Sequence, residues 1–357
     1  MAAMSATLLP SVTHTRSMVP AVRQREHGGI EAVRQRARGC VAAAVVFPVL
    51  ASCAVSTSES APLVTPSATV TPATASATPI TASPAAPEAT GSTILDGVER
   101  TWRTYSPMPM RADSPILLVL HGSGGTGAGL RDAIGADIEK VADEHGFVVA
   151  YVDGYRNNWN ECRVGGRWPA KVAGVDDVAL MRHVVESIGT GGPVYAVGFS
   201  SGGHMAMRLA LEASDLVGGV GVVAANPPVV GNQSCVTDGD PVPMMFVEGR
   251  EDPINPLSGG EVRVRAGSSQ GSRGEVLSAA DGARWYARHN GVGTVPERGP
   301  ERAGGVESTV WDGADPVRLV VLDDTGHTFP TASGGWGPSG AEPYDAPGEI
   351  WRFLTSG

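Results

Sequence analysis

From about Thr93 onward the chain alternates short apolar runs with amphipathic ones. Runs at 116–120, 147–152, 194–197, 217–223, 244–247 and 319–322 are rich in β-branched residues and nearly free of polar ones. Such continuous apolar runs suit strands covered on both faces, as in a parallel sheet. Between them, 130–145, 175–188 and 201–213 carry helical periodicity. The second of these puts Val175, Val178, Met181, Val184, Val185 and Ile188 on one helical face. Segments 277–289 and 348–354 predict two further helices. Strands alternating with helices across 93–357 predict one α/β domain built on a mostly parallel, doubly wound sheet.

The first 92 residues follow another pattern. Arg34-Gln-Arg-Ala-Arg38 precedes an apolar run from Cys40 to Leu50, which ends in Leu50-Ala51-Ser52-Cys53. A basic stretch, a short apolar run and small residues make an export signal, and the run is too short for a permanent membrane span. Its Leu-Ala-Ser-Cys ending resembles a bacterial lipoprotein signal, which implies cleavage before Cys53 and a lipid on its thiol. Residues 1–52 are therefore expected to be a signal region. It sits unusually deep, so the true start is expected later, near Met18 or Val33. Residues 54–92 are mostly Ala, Ser, Thr and Pro. They cannot bury enough surface to offset their ordering entropy, so 53–92 reads as a lipid-bearing cysteine and a tether.

Charge narrows the partners. Of 27 basic and 37 acidic residues, six Arg and two Glu lie in the first 52, leaving 21 against 35 in the remainder. With no basic stripe beyond Arg38, nucleic acid is not an expected partner. The eight histidines are scattered and no Cys/His cluster has ligand spacing, so neither a metal nor any other cofactor is expected. Nothing in the chain specifies an oligomeric state. Once Cys53 is set aside, Cys162 and Cys235 are the cysteines of the mature domain, and an exported even pair predicts a disulfide.

Candidate chemistry gathers at strand ends. Gly198-Phe199-Ser200-Ser201-Gly202 joins an apolar strand to a helix-like run. A serine on such a sharp turn is pushed out of the sheet, and the flanking glycines remove side chains that would clash. A serine hydroxyl needs an imidazole to take its proton and a carboxylate to orient that imidazole. Downstream, Glu248-Gly-Arg-Glu251-Asp252 ends one strand, and Asp323-Asp324-Thr-Gly326-His327 ends another. His327 is the strand-end histidine, because His289 falls in a predicted helix; the residues alone leave Glu248, Glu251, Asp252, Asp323 and Asp324 in competition as the acid. His204, just after the serine, is expected to pack locally within its helix. Upstream, Gly122-Ser-Gly124-Gly-Thr-Gly127 imitates a dinucleotide fingerprint, with Asp153 at the end of the next strand. An exported chain meets no nicotinamide pool, and His121-Gly122-Ser123-Gly124 resembles instead the His-Gly loop of esterases, where a backbone N–H stabilises an oxyanion.

These motifs together resemble a family: the secreted esterases that include type-one feruloyl esterases, polyhydroxybutyrate depolymerases and actinobacterial lipoprotein esterases of the LpqC type. The likeness covers most of 93–357. It rests on Leu120-His-Gly122, Trp159-Asn160, Val175-Asp-Asp-Val178, Gly198 to Gly203, Gly249 to Asp252 with Gly259-Gly260, Gly326-His-Thr-Phe-Pro330 and Ile350-Trp-Arg-Phe353. The resemblance implies an α/β-hydrolase fold, Ser200 as nucleophile, Asp252 as acid and His327 as base. The amides of Ser201 and Ser123 would then hold the oxyanion. Two positions depart from the family pattern: Glu248 stands where a histidine is usual, and Phe329 where a tryptophan is usual.

The leading expectation is a membrane-tethered serine esterase that hydrolyses carboxylic esters through an acyl-enzyme. The alternatives are transfer of the acyl group to an alcohol, as in mycolyltransferases, and a non-catalytic wall-binding lipoprotein. Loops carrying Tyr155, Trp159, Asn160, Trp168 and Trp336 fall at the carboxyl ends of strands, where open α/β sheets bind ligands. Trp159, Asn160 and Trp336 are accordingly expected to contact substrate. Exposed aromatics there would favour short-acyl or hydroxycinnamoyl esters over acyl chains longer than about ten carbons.

Overall fold

The computed structural model describes residues 88–264 and 271–356. In chain order the strands are β1 (Glu88–Leu95), β2 (Val98–Tyr105), β3 (Ile116–Leu120), β4 (Val148–Val152), β5 (Val194–Phe199), β6 (Val220–Val223), β7 (Met244–Gly249), β8 (Gly260–Val264), β9 (Gly271–Val276), β10 (Arg298–Ala303), β11 (Val306–Trp311), β12 (Val317–Leu322), β13 (Phe329–Thr331) and β14 (Gly334–Trp336). The helices are α1 (Gly127–His145), α2 (Pro169–Ala173), α3 (Asp177–Ile188), α4 (Ser201–Glu212), α5 (Ala279–His289) and α6 (Ala346–Leu354).

Ten strands form one sheet in the order β1-β2-β4-β3-β5-β6-β7-β12-β11-β10. The six inner strands from β4 to β12 run parallel. They are the six apolar runs that the hydrophobic pattern marks. Alternate side chains of these strands feed two cores. Leu118, Ala150, Ala196, Val222 and Phe246 pack under α3, α4 and α5 on one face. Leu117, Val119, Val149, Tyr151 and Val197 pack under α1 and α6 on the other. With helices on both faces and strand order reversing beside β3, this is the α/β-hydrolase fold.

Antiparallel hairpins close both edges: β1-β2 on β4, and β11-β10 on β12. Their burial alternates or vanishes, as edge strands with one wet face require, so no apolar run announces them. The first hairpin corrects the expected domain boundary, because β1 begins at Glu88, inside the stretch assigned to the tether. Its small polar residues pair with β2 along the whole strand. Gly91 lies against the Trp102 ring so closely that a Cβ there would stand 2.2 Å from Cε2. Residues 1–87, with the signal region and Cys53, lie outside the described residues.

Helix α3 starts at Asp177, later than the periodicity suggests, because Asp176 caps it by accepting a hydrogen bond from the Ala179 N–H. Val175 therefore lies before the helix. The fully buried residues of α3 include Leu180 beside Met181 and Val184, while Val178, Val185 and Ile188 are only partly covered. The second aspartate of the pair turns inward. Asp177 is fully buried and accepts from the Arg100 guanidinium at 2.5 Å and from the Asn160 N–H at 2.6 Å, tying β2, the loop after β4 and α3 together.

Candidate active site

The turn between β5 and α4 carries Ser200 at φ 55°, ψ −116°, a strained conformation for a residue with a Cβ. Its neighbours make the turn possible. A Cβ on Gly198 would lie 2.0 Å from the Gly202 carbonyl oxygen, and one on Gly202 would lie 2.1 Å from that of Leu120. The serine N–H donates to Val223 O at 2.8 Å, so the strain is held by the sheet itself.

Strand ends then bring two distant side chains to this serine. The loop after β12 puts His327 Nε2 at 2.9 Å from Ser200 Oγ, and the loop after β7 puts Asp252 Oδ2 at 2.7 Å from His327 Nδ1. The other oxygen of Asp252 accepts the N–H groups of Ile254 and Asn255, both at 2.8 Å. A carboxylate so held requires the proton of the neutral imidazole to sit on Nδ1, which leaves Nε2 free to accept from the serine hydroxyl. The two loops can approach because Gly249 has no side chain: a Cβ there would stand 2.3 Å from Thr325 O. Asp252 and His327 are both buried.

The competing acids occupy other places. Glu251 and Asp324 are exposed, and Asp323 joins a surface ion-pair network with Arg250 and Arg302. Glu248 is fully buried beside Asp252, where its carboxyl accepts from the Ala225 N–H at 3.0 Å and from Asn255 Nδ2 at 3.2 Å. Burial, with the nearby Asp252 charge, pushes its pKa well above the usual carboxylate range. Where the family usually has a histidine, this chain thus places a buried carboxyl whose hydrogen bonds to Ala225 and Asn255 support the loop that carries Asp252. The second departure, Phe329, is buried and packs near Phe199 with ring centroids 6.3 Å apart.

On the other side of Ser200 lies the loop after β3. A Cβ on Gly122 would stand 3.5 Å from Ser200 Cβ. The Gly124 and Gly125 N–H groups are committed to Asn157 O at 2.8 Å and Gly122 O at 3.0 Å, which leaves the Ser123 amide at the loop tip. Ser201 is the first residue of α4, and N–H groups of a first helical turn have no intrahelical partner. Asp153, the acid that completes the apparent dinucleotide fingerprint, accepts from Gly127 N–H at 2.7 Å and from Thr101 Oγ1 at 2.7 Å. Its carboxylate holds the start of α1 and is not presented to a ribose.

The aromatic loops differ from expectation. Trp159 is fully buried, with its indole N–H donating to His121 O at 2.8 Å, and Trp168 is buried with its own N–H donating to Trp159 O at 2.5 Å. Neither ring is open to solvent. Indole N–H groups find main-chain acceptors inside the protein, and the rings then fill the core beneath the loop. Asn160 is partly buried: its side-chain amide donates to Val175 O, and its carbonyl accepts from Arg208. Trp336 is half-buried, edge-on to Phe199 at 5.5 Å, and Phe199 in turn lies 5.1 Å from the His327 ring. It borders the site through Phe199. His204 is buried, with no hydrogen-bond partner for Nδ1 among the described residues, and burial holds its pKa well below the usual histidine value. Cys162 and Cys235 are bonded, with Cα atoms 5.0 Å apart, and the bond joins the loop after β4 to the loop after β6. Among the described residues no group of acidic, histidine and cysteine side chains could hold a metal ion.

No protein-family model matches the chain. A curated relative, "Putative esterase NocK" from Nocardia uniformis subsp. tsuyamanensis, is 29% identical over 260 residues, covering 66% of this chain and 72% of the relative. A poly(3-hydroxybutyrate) depolymerase from Ralstonia pickettii is 33% identical over 138 residues, 36% of this chain and 28% of that enzyme. The chain therefore spans little more than a quarter of the depolymerase. Among solved structures, an acetyl xylan esterase from Aspergillus awamori aligns at 16% identity with a TM-score of 0.47, covering 69% of this chain and 96% of its own. The LpqC poly(3-hydroxybutyrate) depolymerase from Bordetella parapertussis aligns at 20% identity with a TM-score of 0.37, over 47% and 67%. The fold assignment rests on the sheet order, not on these two alignments.

Proposed function

We propose that the protein is a serine hydrolase of carboxylic esters. Ser200 Oγ attacks the ester carbonyl as His327 Nε2 takes its proton, and Asp252 holds and stabilises the imidazolium that forms. The developing oxyanion is met by the N–H groups of Ser201 and Ser123. His327 returns its proton to the leaving alkoxide, and a water activated by the same imidazole then releases the acid from Ser200. The observation that carries this reading is the continuous hydrogen-bonded line from Asp252 through His327 to Ser200, on a strained turn that aims the hydroxyl outward. The resemblance to an esterase and a depolymerase along the sequence supports it.

The acyl group this site suits is short or aromatic, with the half-buried Trp336, packed on the buried Phe199 ring, as its apolar border. p-Nitrophenyl esters of graded acyl length test this, and faster turnover of palmitate than of butyrate would reject it. The expectation that Trp159 contacts an aryl group is withdrawn, since the ring is enclosed. The protein acts outside the cytoplasm, held by a lipid on Cys53; the signal-like segment before Cys53 and the Cys162–Cys235 bond support this. In a native bacterial host, a Cys53→Ser form should leave the membrane fraction; continued partition with membranes would contradict the anchor.

A further inference from the structure

We propose that Glu248 and Asn255 form a positioning pair for the ester reaction. Together they tie the loop that carries Asp252 to the segment after β6 that braces the nucleophile turn, and so set where Asp252 stands relative to Ser200. This rests on the serine-esterase reading above.

The geometry begins on the nucleophile side. β6 ends at Val223, whose carbonyl accepts the Ser200 N–H at 2.8 Å. The chain then leaves the sheet under strain, with Ala224 at φ 54°, a region that a residue with a Cβ rarely adopts. Such a conformation persists only where its surroundings over-determine it. Here the next two N–H groups are held from the loop after β7. Ala225 donates to Glu248 Oε1 at 3.0 Å and Asn226 to Asn255 Oδ1 at 3.1 Å, while Asn226 Nδ2 donates to Pro256 O at 2.8 Å. On the acid side, the Asn255 N–H donates at 2.8 Å to Asp252 Oδ1, the oxygen that His327 does not use. Its side-chain amide donates to Glu248 Oε2 at 3.2 Å. One buried set of bonds therefore runs from the peptide beside the nucleophile turn to the triad acid.

The direction of these bonds fixes what position 248 must be. A main-chain N–H can only donate, so Asn255 has to turn its oxygen to Asn226 and its NH₂ to Glu248. The Ala225 N–H can only donate as well. Position 248 thus faces two donors and needs two acceptors, which a carboxyl supplies, one from each oxygen. Protonation, which burial favours, leaves acceptor capacity on both oxygens. A glutamine has one acceptor, and its own NH₂ would meet the second donor. A histidine, usual here in the family, has at most one acceptor nitrogen, so it could not take both bonds. The side chains of Asn226, Glu248, Asp252 and Asn255 are all buried, where a bond lost is not simply replaced by solvent.

The test compares Glu248→Gln, Asn255→Ala and the double variant. The readouts are kcat and KM for p-nitrophenyl butyrate, each at the pH of that protein's maximal rate, and the NMR signal of the His327 Nδ1 proton, which reports its bond to Asp252. Misplacing a catalytic group by about 1 Å can cost about 100-fold. Glu248→Gln is therefore expected to lower kcat about 10- to 100-fold with KM within about two-fold, and to shift the proton signal. Asn255→Ala should do the same, and it carries the test if Glu248→Gln does not fold. Because the two residues act through one bonded unit, the double variant should have a kcat close to that of the worse single variant. A purely structural role would lower stability while leaving kcat per folded molecule and the proton signal at the parent values. That result, a loss carried by KM instead of kcat, or single losses that multiply in the double variant would overturn the proposal. A parent enzyme that hydrolyses the ester, with no turnover in Ser200→Ala, shows that such a failure concerns the Glu248–Asn255 pair alone.

Discussion

Glu248 is where residue-scale chemistry departs most from the surface of the sequence. Buried beside Asp252, it is protonated in the folded state at pH values where the unfolded chain has released that proton. A raised folded pKa contributes stability below the unfolded value and loses it as pH rises toward the folded one. Glu248→Gln removes the titration. The stability of the variant minus that of the parent should therefore be flat below about pH 4.5 and climb as pH rises above it, whatever constant offset the altered hydrogen bond adds. Chemical denaturation of both proteins at several pH values reads the slope, and a flat difference would mean that Glu248 is ionised in the fold. His121 works on the acid side. Its folded pKa of about 4 against 6.5 unfolded means that stability is complete above 6.5 and lost as pH falls toward 4. That loss is on the order of 3 kcal/mol. His204, also held neutral by burial, adds in the same direction. In the Glu248→Gln background, where no opposing slope remains from that acid, the midpoint should fall clearly between pH 6.5 and 4.5. A midpoint constant over that range would contradict neutral buried imidazoles.

At the scale of elements, what the sequence made legible follows a simple physical division. Inner parallel strands are covered on both faces, so their apolar runs stand out, and every strand end that carries Ser200, Asp252 or His327 could be placed from them. Edge strands β1, β10 and β11 have wet faces and β8–β9 is a short antiparallel pair, so none had a run to find. The choice of Asp252 over its neighbours was not available from residues alone, because it depends on which carboxylate the turn after β7 directs inward. The Trp-Asn and Asp-Asp motifs could be seen but not interpreted. Their meaning lies in hydrogen bonds across 17 to 77 residues, as Asp177 meets Asn160 and Arg100. That buried pair predicts its own test. Asp177→Ala leaves the Arg100 guanidinium uncompensated in the core, which should lower stability by about 3–5 kcal/mol. A denaturation midpoint near that of the parent would show that Arg100 finds another partner or water.

For the whole molecule, the Cys162–Cys235 bond closes a loop with a sequence separation of 73 residues and ties together two loops on the catalytic side of the sheet. Chain-entropy arguments give about 4 kcal/mol for a loop of that size. Reduction should therefore lower the Tm by several degrees, and an unchanged Tm after verified reduction would remove the bond from the stability account. The central claim, however, is that Ser200, His327 and Asp252 act as one unit on esters. Asp252→Asn should drop kcat steeply through the wrong tautomer of His327, while separate substitutions of Glu251, Asp323 and Asp324 should be mild. The most direct measurement is labelling of the folded protein with a fluorophosphonate, followed by peptide mapping and ester turnover. The account predicts one modified serine, Ser200, with turnover lost as label is incorporated, and a Ser200→Ala protein with an unchanged circular dichroism spectrum, no label and kcat reduced at least about 10³-fold. Label on another serine, or turnover near the parent value in Ser200→Ala, would contradict it.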